Sequence, residues 1–175
     1  TNNNEITDLS SSNDIINNLE NGHGVAKYIL REGESIGSFY GFESDGLYTQ
    51  EEIDAGHYYT YGGVTPNAGD TKFVPQRELD WGEEITDSDR TIIGCEVPDF
   101  TYGINLSVNY KNFEFSIFGQ GICGADVAFE VYQVHPFFHG QDNPRRYHMG
   151  RWSEENPNPH AIYPRIYTAS SPYYL

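Results

Sequence analysis

Sulphur is scarce in this sequence: one Met and two Cys occur among 175 residues. Two cysteines cannot frame a disulfide-rich scaffold. Basic side chains are scarce too, with 10 Lys and Arg against 26 Asp and Glu and a net charge of −16. The deficit is concentrated in residues 1–99, which carry 20 acidic and 5 basic side chains, against 6 and 5 in residues 100–175. Such a field repels phosphates and argues against nucleic acid as a partner. No apolar run approaches the ~20 residues of a membrane helix, so only strands could cross a bilayer. G-x-S-x-G, P-loop, dinucleotide and H-E-x-x-H fingerprints are missing, so no catalytic residue is assigned and the chain is read as non-enzymatic. It opens on Thr1 rather than Met, and reads as processed or as a piece of something longer.

Aromatics, by contrast, are abundant: 15% of the residues, with 14 Tyr. They concentrate in the most patterned stretch, residues 100–127. Phe100, Tyr102, Ile104, Leu106, Val108 and Tyr110 alternate with Thr101, Gly103, Asn105, Ser107, Asn109 and Lys111. Alternate side chains of a strand point to opposite faces, so this segment has one apolar and one polar face. Past Asn112 the alternation resumes with Phe113, Phe115 and Ile117 against Glu114, Ser116 and Gln120, and Phe118 breaks the phase. Two strands joined across Lys111–Asn112 are predicted. A 12-residue strand tilted near 45° rises roughly 28 Å, the height of a bilayer's apolar band. Aromatics at its ends stand where membrane-interface girdles would lie. The alternative is a long hairpin whose apolar face lines a soluble core. In this register Cys123 faces Phe100, and Cys95 lies roughly 16 Å further along, beyond the ~7 Å reach of a disulfide. Two free thiols are expected.

Upstream, residues 1–9 read as the polar end of a strand entering a loop. A short helix is expected over residues 13–19, capped by Ser12 or Asn13. Residues 25–30 read as a weak strand. Thr49-Gln-Glu-Glu-Ile-Asp reads as one helical turn with Thr49 as cap. Glycines and prolines make residues 57–70 a loop. Residues 10–96 thus read mostly as connection, which long barrel loops tolerate better than soluble domains do.

Several segments, in matching order, resemble the SusC/RagA family of TonB-dependent outer-membrane transporters. Glu34-Ser-Ile-Gly-Ser-Phe-Tyr-Gly-Phe, with Asp45-Gly-Leu-Tyr and Glu51-Glu-Ile, resembles its G-x-P/S-I-G-S-F-Y-G-Y…D-G-I-F…E-E-I signature. Asp87-Ser-Asp-Arg-Thr-Ile-Ile-Gly with Pro98-Asp-Phe-Thr-Tyr-Gly-Ile-Asn resembles D-R-x-I-I-G-N-P-x-P-D-F-x-Y-G-x-N. Tyr110-Lys-Asn-Phe-Glu-Phe-Ser-Ile-Phe-Gly-Gln-Gly-Ile-Cys-Gly resembles a family hairpin. Asn2-Asn-Asn-Glu-Ile-Thr-Asp-Leu resembles a family strand end, and Arg151-Trp-Ser-Glu-Glu-Asn-Pro-Asn with Tyr163-Pro-Arg resembles the stretch before the last strands.

The resemblance implies an all-β fold: antiparallel strands forming the C-terminal part of a large, about 22-stranded transmembrane β-barrel with long extracellular loops. Residues 1–9 would be a strand end, 10–96 an extracellular loop, 97–127 a transmembrane hairpin with its turn in the periplasm, and 128–175 a second extracellular loop. The plug and other strands would lie elsewhere. Implied function is import of oligosaccharides or peptides across the outer membrane of a Gram-negative bacterium. Implied partners are TonB, a SusD-like surface lipoprotein, outer-membrane lipid and the imported substrate, in a dimer of transporter–lipoprotein pairs. The alternative from another class is a soluble secreted β-sandwich that binds carbohydrate.

Candidate site residues fall in both loops. The family's D-x-N-x-D-G-x-I-x-x-x-D run resembles a calcium loop. Aligned on Ile85, it implies oxygen ligands from Glu78, Asp80 and Asp89 and from the Glu84 carbonyl, with Ca2+ as the candidate cofactor. Gly82 lacks the expected carboxylate there and Glu83 replaces the turn glycine; a solvated acidic loop is the alternative. His135, His139, His148 and His160 lack metal-ligand spacing, and Glu83, Glu84, Asp87 and Asp89 lack a pocket for paired-acid catalysis. In the second loop, Phe137, Phe138, Tyr147, Trp152, Tyr163, Tyr167, Tyr173 and Tyr174 stand among Arg145, Arg146, Arg151 and Arg165. Rings beside guanidinium groups can stack on and hydrogen-bond a glycan or peptide. Trp152, Tyr163 and Arg165 are the expected ligand contacts, with packing of the loop on its neighbours as the alternative.

Overall fold

The computed structural model describes residues 4–10, 14–18, 27–129 and 143–166. Its regular structure is mostly strand. Alternation over residues 100–123 gives what it predicts: β9 (Phe100–Tyr110) and β10 (Phe113–Cys123) pair antiparallel along their full lengths. Tyr110 faces Phe113, Leu106 faces Ile117 and Cys123 faces Phe100. The two-residue turn puts Lys111 in the left-handed region, at φ 53°. Both cysteines are free.

This register sorts the side chains. One face carries Tyr102, Ile104, Leu106, Val108, Phe115 and Ile117, while the other pairs Asn109 with Glu114, Ser107 with Ser116 and Asn105 with Phe118. Phe118 breaks the pattern by standing among polar groups. The apolar face has no cover within the described residues: Leu106 and Ile117 are 52% and 54% exposed. Nor does any described strand pair with the outer edge of β9 or β10.

Residues 10–96 hold more regular structure than their sequence suggests. β1 (Ile15–Asn18), β2 (Lys27–Leu30), β3 (Ser38–Gly41) and β8 (Thr91–Cys95) form an antiparallel sheet in the order β1-β2-β3-β8. The helix expected over 13–19 is therefore corrected to a strand where it is described, with Ile15 opposite Leu30. A seven-residue helix is marginal in water. Branched Ile15 and Ile16 suit a strand, and β2 offers an edge for their backbone groups. Residues 13, 19, 25 and 26 lie outside the described set. Ile29 and Phe39 are buried in this sheet, and Phe39 packs its ring 5.3 Å from that of Tyr28. The Tyr28 hydroxyl donates to Glu96 at 2.6 Å, and that bond pushes its pKa up to about 12.

Residues 4–9 are outside any ladder, although Ile6 exchanges backbone hydrogen bonds with Gly33 and Glu34. Two smaller sheets follow. β4 (Ser44–Leu47) pairs antiparallel with β6 (Thr71–Phe73). β5 (Thr60–Tyr61), inside the expected loop, pairs parallel with β7 (Glu84–Ile85), the exception to an otherwise antiparallel arrangement. Phe73 and Ile85 are the buried centre there, with Phe42, Tyr59, Tyr61 and Leu79 around them. Between β4 and β5 the expected helical turn forms as α1 (Gln50–Asp54), with Thr49 and Glu52 closing a capping box.

Candidate functional site

The expected ligand contacts Trp152, Tyr163 and Arg165 come together, and their described contacts are with the chain itself. Gly69 stands at φ 84° inside the turn that the Asp70 amide closes on the Asn67 carbonyl, and the Trp152 indole lies so close over it that any side chain there would collide with the ring. The Gly69 carbonyl accepts from the Arg165 amide at 3.0 Å, and the Tyr163 carbonyl from the Trp152 amide at 2.9 Å. The Arg165 guanidinium pairs with Asp70, which is only 1% exposed and also accepts from the Asn67 amide at 2.8 Å. Tyr163 stacks on Tyr147 at 5.5 Å and meets buried His148 edge-on. The Leu47 amide donates to the Pro159 carbonyl at 3.0 Å. Residues 143–166 are thus docked on residues 46–70. Beneath them burial pushes the Tyr48 hydroxyl up to about 12, against the lowering effect of the Tyr59 amide it accepts from. Phe137, Phe138, Tyr167, Tyr173, Tyr174, His135 and His139 lie outside the described residues.

The expected calcium ligands do not converge. Glu78 and Asp80 are exposed, and the Glu84 carboxylate accepts from the Gly63 amide at 3.0 Å. Among the described residues no three His, Cys, Asp or Glu side chains stand as a metal ion would require. Asp89 is fully buried and already satisfied. It accepts from Arg77 Nε at 3.1 Å, from the Thr86 amide at 2.9 Å and from the Gln76 amide at 3.3 Å. The Glu84 carbonyl accepts from Arg77 Nη2 at 3.0 Å. The residues therefore do not fit a bound calcium ion.

Burial alone would raise the Asp89 pKa; the Thr86 amide, Arg77 and the Gln76 amide outweigh it and hold the carboxyl below its ordinary 3.8. A depressed carboxyl stabilises the fold above its unfolded pKa, and the contribution is lost as pH falls through the folded value. Exchange protection of the Thr86 and Gln76 amides is therefore expected to stay flat from neutral pH to about 4 and to fall below that. Loss near pH 6 would contradict it.

The fold also presents an exposed aromatic group that the sequence motifs do not single out. Trp81, 57% exposed, stands at the Asp80–Gly82 turn with Tyr59 stacked at 4.9 Å and His57 at 5.2 Å. Gly82, at φ 90°, donates to the Tyr58 carbonyl at 2.8 Å, and the Asp80 amide donates to Glu83 at 3.1 Å. The indole is thus held in place before any partner arrives, with open space beside Gly82. Its signal was an aromatic residue inside an acidic turn.

No family model matches the chain. It is similar to three curated proteins of Formosa agariphila. TonB-dependent receptor P3 is 35% identical over 90% of this chain, and TonB-dependent receptor P26 is 30% identical over 89%. TonB-dependent receptor P39 is 26% identical over 72%. The chain spans 15%, 15% and 14% of their respective lengths.

Proposed function

The chain belongs to the TonB-dependent receptor family, and from that premise we propose that it is a late barrel segment of a SusC/RagA-like importer in the outer membrane of a Gram-negative bacterium. The single observation that carries this reading is the two-faced hairpin. Its register puts large apolar groups, with Gly119 and Gly121 among them, on one side of 11-residue strands and mostly polar groups on the other. In a barrel the first face meets lipid, the second lines the lumen, and the bare edges of β9 and β10 pair with neighbouring strands. The short Lys111–Asn112 turn lies in the periplasm, and residues 10–96 and 128–175 lie outside the cell. The barrel is large, about 22-stranded.

In this reading the intact protein imports oligosaccharides or peptides on energy passed from TonB, under a SusD-like lipoprotein, as a dimer of such pairs. It captures and passes its ligand and makes or breaks no bond. Trp152, Tyr163 and Arg165 hold the second loop against the first, and Trp81 offers the ligand its open ring. A soluble sandwich would cover the apolar face of the hairpin with a second sheet, and no described strand does so.

Transport is tested in cells making the intact receptor, fed a neutral oligosaccharide ladder and a peptide library. The reading expects depletion of one of them that stops when the proton-motive force is collapsed; depletion that persists would contradict it. Trp81→Ala is expected to weaken capture of the depleted component roughly tenfold in equilibrium binding to the purified receptor. Unchanged affinity would remove Trp81 from the path and leave the transport reading standing.

A further inference from the structure

We propose that the Arg77 guanidinium is a built-in cation for the loop of residues 76–90, standing where the sequence resemblance implied calcium, so that this loop keeps its shape without metal. Four oxygens surround the group. They are both Asp89 carboxylate oxygens at 3.1 and 3.3 Å, the Glu84 carbonyl at 3.0 Å and the Thr86 hydroxyl at 3.4 Å. Two of the implied calcium ligands, the Asp89 carboxylate and the Glu84 carbonyl, are among them. A planar fork with several N–H donors suits such a set.

Charge and coordination number agree. Calcium takes 6–8 oxygens at about 2.3–2.6 Å and usually several carboxylates. Here one carboxylate is buried beside the group, and a single positive charge balances it. The other acidic side chains are placed elsewhere: Glu83 accepts from the Asp80 amide, Glu84 from the Gly63 amide, and Glu78 is exposed. The left-handed glycine stands at Gly82, one residue before the position of the motif's turn glycine. The departures from the motif at positions 82 and 83 and the presence of Arg77 thus form one substitution of an internal cation for an external one. The arrangement also ties Gln76 and Arg77 to the end of the loop, which places β7 beside β5.

The test is local proteolysis of the intact receptor in detergent, with a glutamate-specific protease and mass spectrometry reading cleavage after Glu83 and Glu84. Wild type is expected to be cut at the same rate, within about twofold, in millimolar calcium and in excess EDTA. Arg77→Ala leaves the buried Asp89 carboxylate its Thr86 and Gln76 donors but no counter-charge, and should raise that rate roughly tenfold, with Arg77→Lys in between. Unchanged heat-modifiability of the barrel shows that the variants remain folded. EDTA accelerating cleavage of wild type, or Arg77→Ala cutting at the wild-type rate, would overturn the proposal. So would a saturable micromolar terbium signal sensitised by Trp81 in wild type.

Discussion

Arg165→Ala is expected to release residues 143–166 from residues 46–70 and to lower the free energy of that local opening by about 3–5 kcal/mol. Asp70 is the reason. It is 1% exposed, and its counter-charge comes from 95 residues away. Removing Arg165 leaves a buried carboxylate whose remaining described donor is the Asn67 amide. Because the Arg165 side chain is itself 31% exposed, the lower end of the range applies, and water will reach part of the gap. Arg165→Lys should recover little, since a point charge cannot span both carboxylate oxygens. Asp70→Asn should cost less than Asp70→Ala, because it retains acceptor capacity for the Asn67 amide. Hydrogen exchange reads the effect at named amides. The Leu47 amide, which donates to the Pro159 carbonyl, and the backbone amide at position 165, which donates to the Gly69 carbonyl, should lose roughly hundredfold protection while β9 and β10 do not change. Protection falling equally in the hairpin would mean a general loss of structure. Protection unchanged at both amides would mean that the ion pair does not hold the loops.

The second large effect is expected on the hairpin and depends on which face is altered. Leu106 lies near the middle of β9 opposite Ile117, and its neighbour Ser107 faces Ser116 on the other side. Arginine at a lipid-facing midplane position costs about 2–4 kcal/mol. Leu106→Arg should therefore destabilise the intact receptor by about that amount in denaturant titrations from lipid vesicles, whereas Ser107→Arg should stay within about 1 kcal/mol. Equal costs at the two positions would be incompatible with one lipid-facing and one lumenal side.

How legible each part was follows from the range of the interactions involved. The hairpin was readable to the residue, because strict alternation fixes which side chains share a face and a two-residue turn fixes the register. The Thr49 cap was readable because its partner Glu52 is three residues away. Residues 15–18 were not: four residues with two isoleucines suit a helical turn or a strand, and β2 decides between them from across a connection. The sheet of β1, β2, β3 and β8 was hidden for the same reason. Its strands are 4 or 5 residues long, too short for a period to show, and β8 lies far along the chain from β3. In the candidate site, carboxylate spacing drew attention to Glu78, Asp80 and Asp89, while the residue that decides their chemistry, Arg77, stands beside them as an ordinary surface type. Ring and guanidinium chemistry marks Trp152 and Arg165 in the sequence as ligand contacts, but only the fold shows Gly69 and Asp70 beneath them. Trp81 carries no comparable signal in the sequence, where the rings concentrate in the second loop.

In the proposed reading β9 and β10 cross the membrane with lipid on one face and the lumen on the other. Spin labels at single cysteines on residues 104 to 108, in the intact receptor with Cys95 and Cys123 replaced by Ser, test it most directly. Labels at 104, 106 and 108 should collide with dissolved oxygen and be shielded from a water-soluble nickel chelate, while those at 105 and 107 should show the reverse. If the even positions are shielded from both reagents, the apolar face lies inside a protein core and the hairpin does not span the membrane.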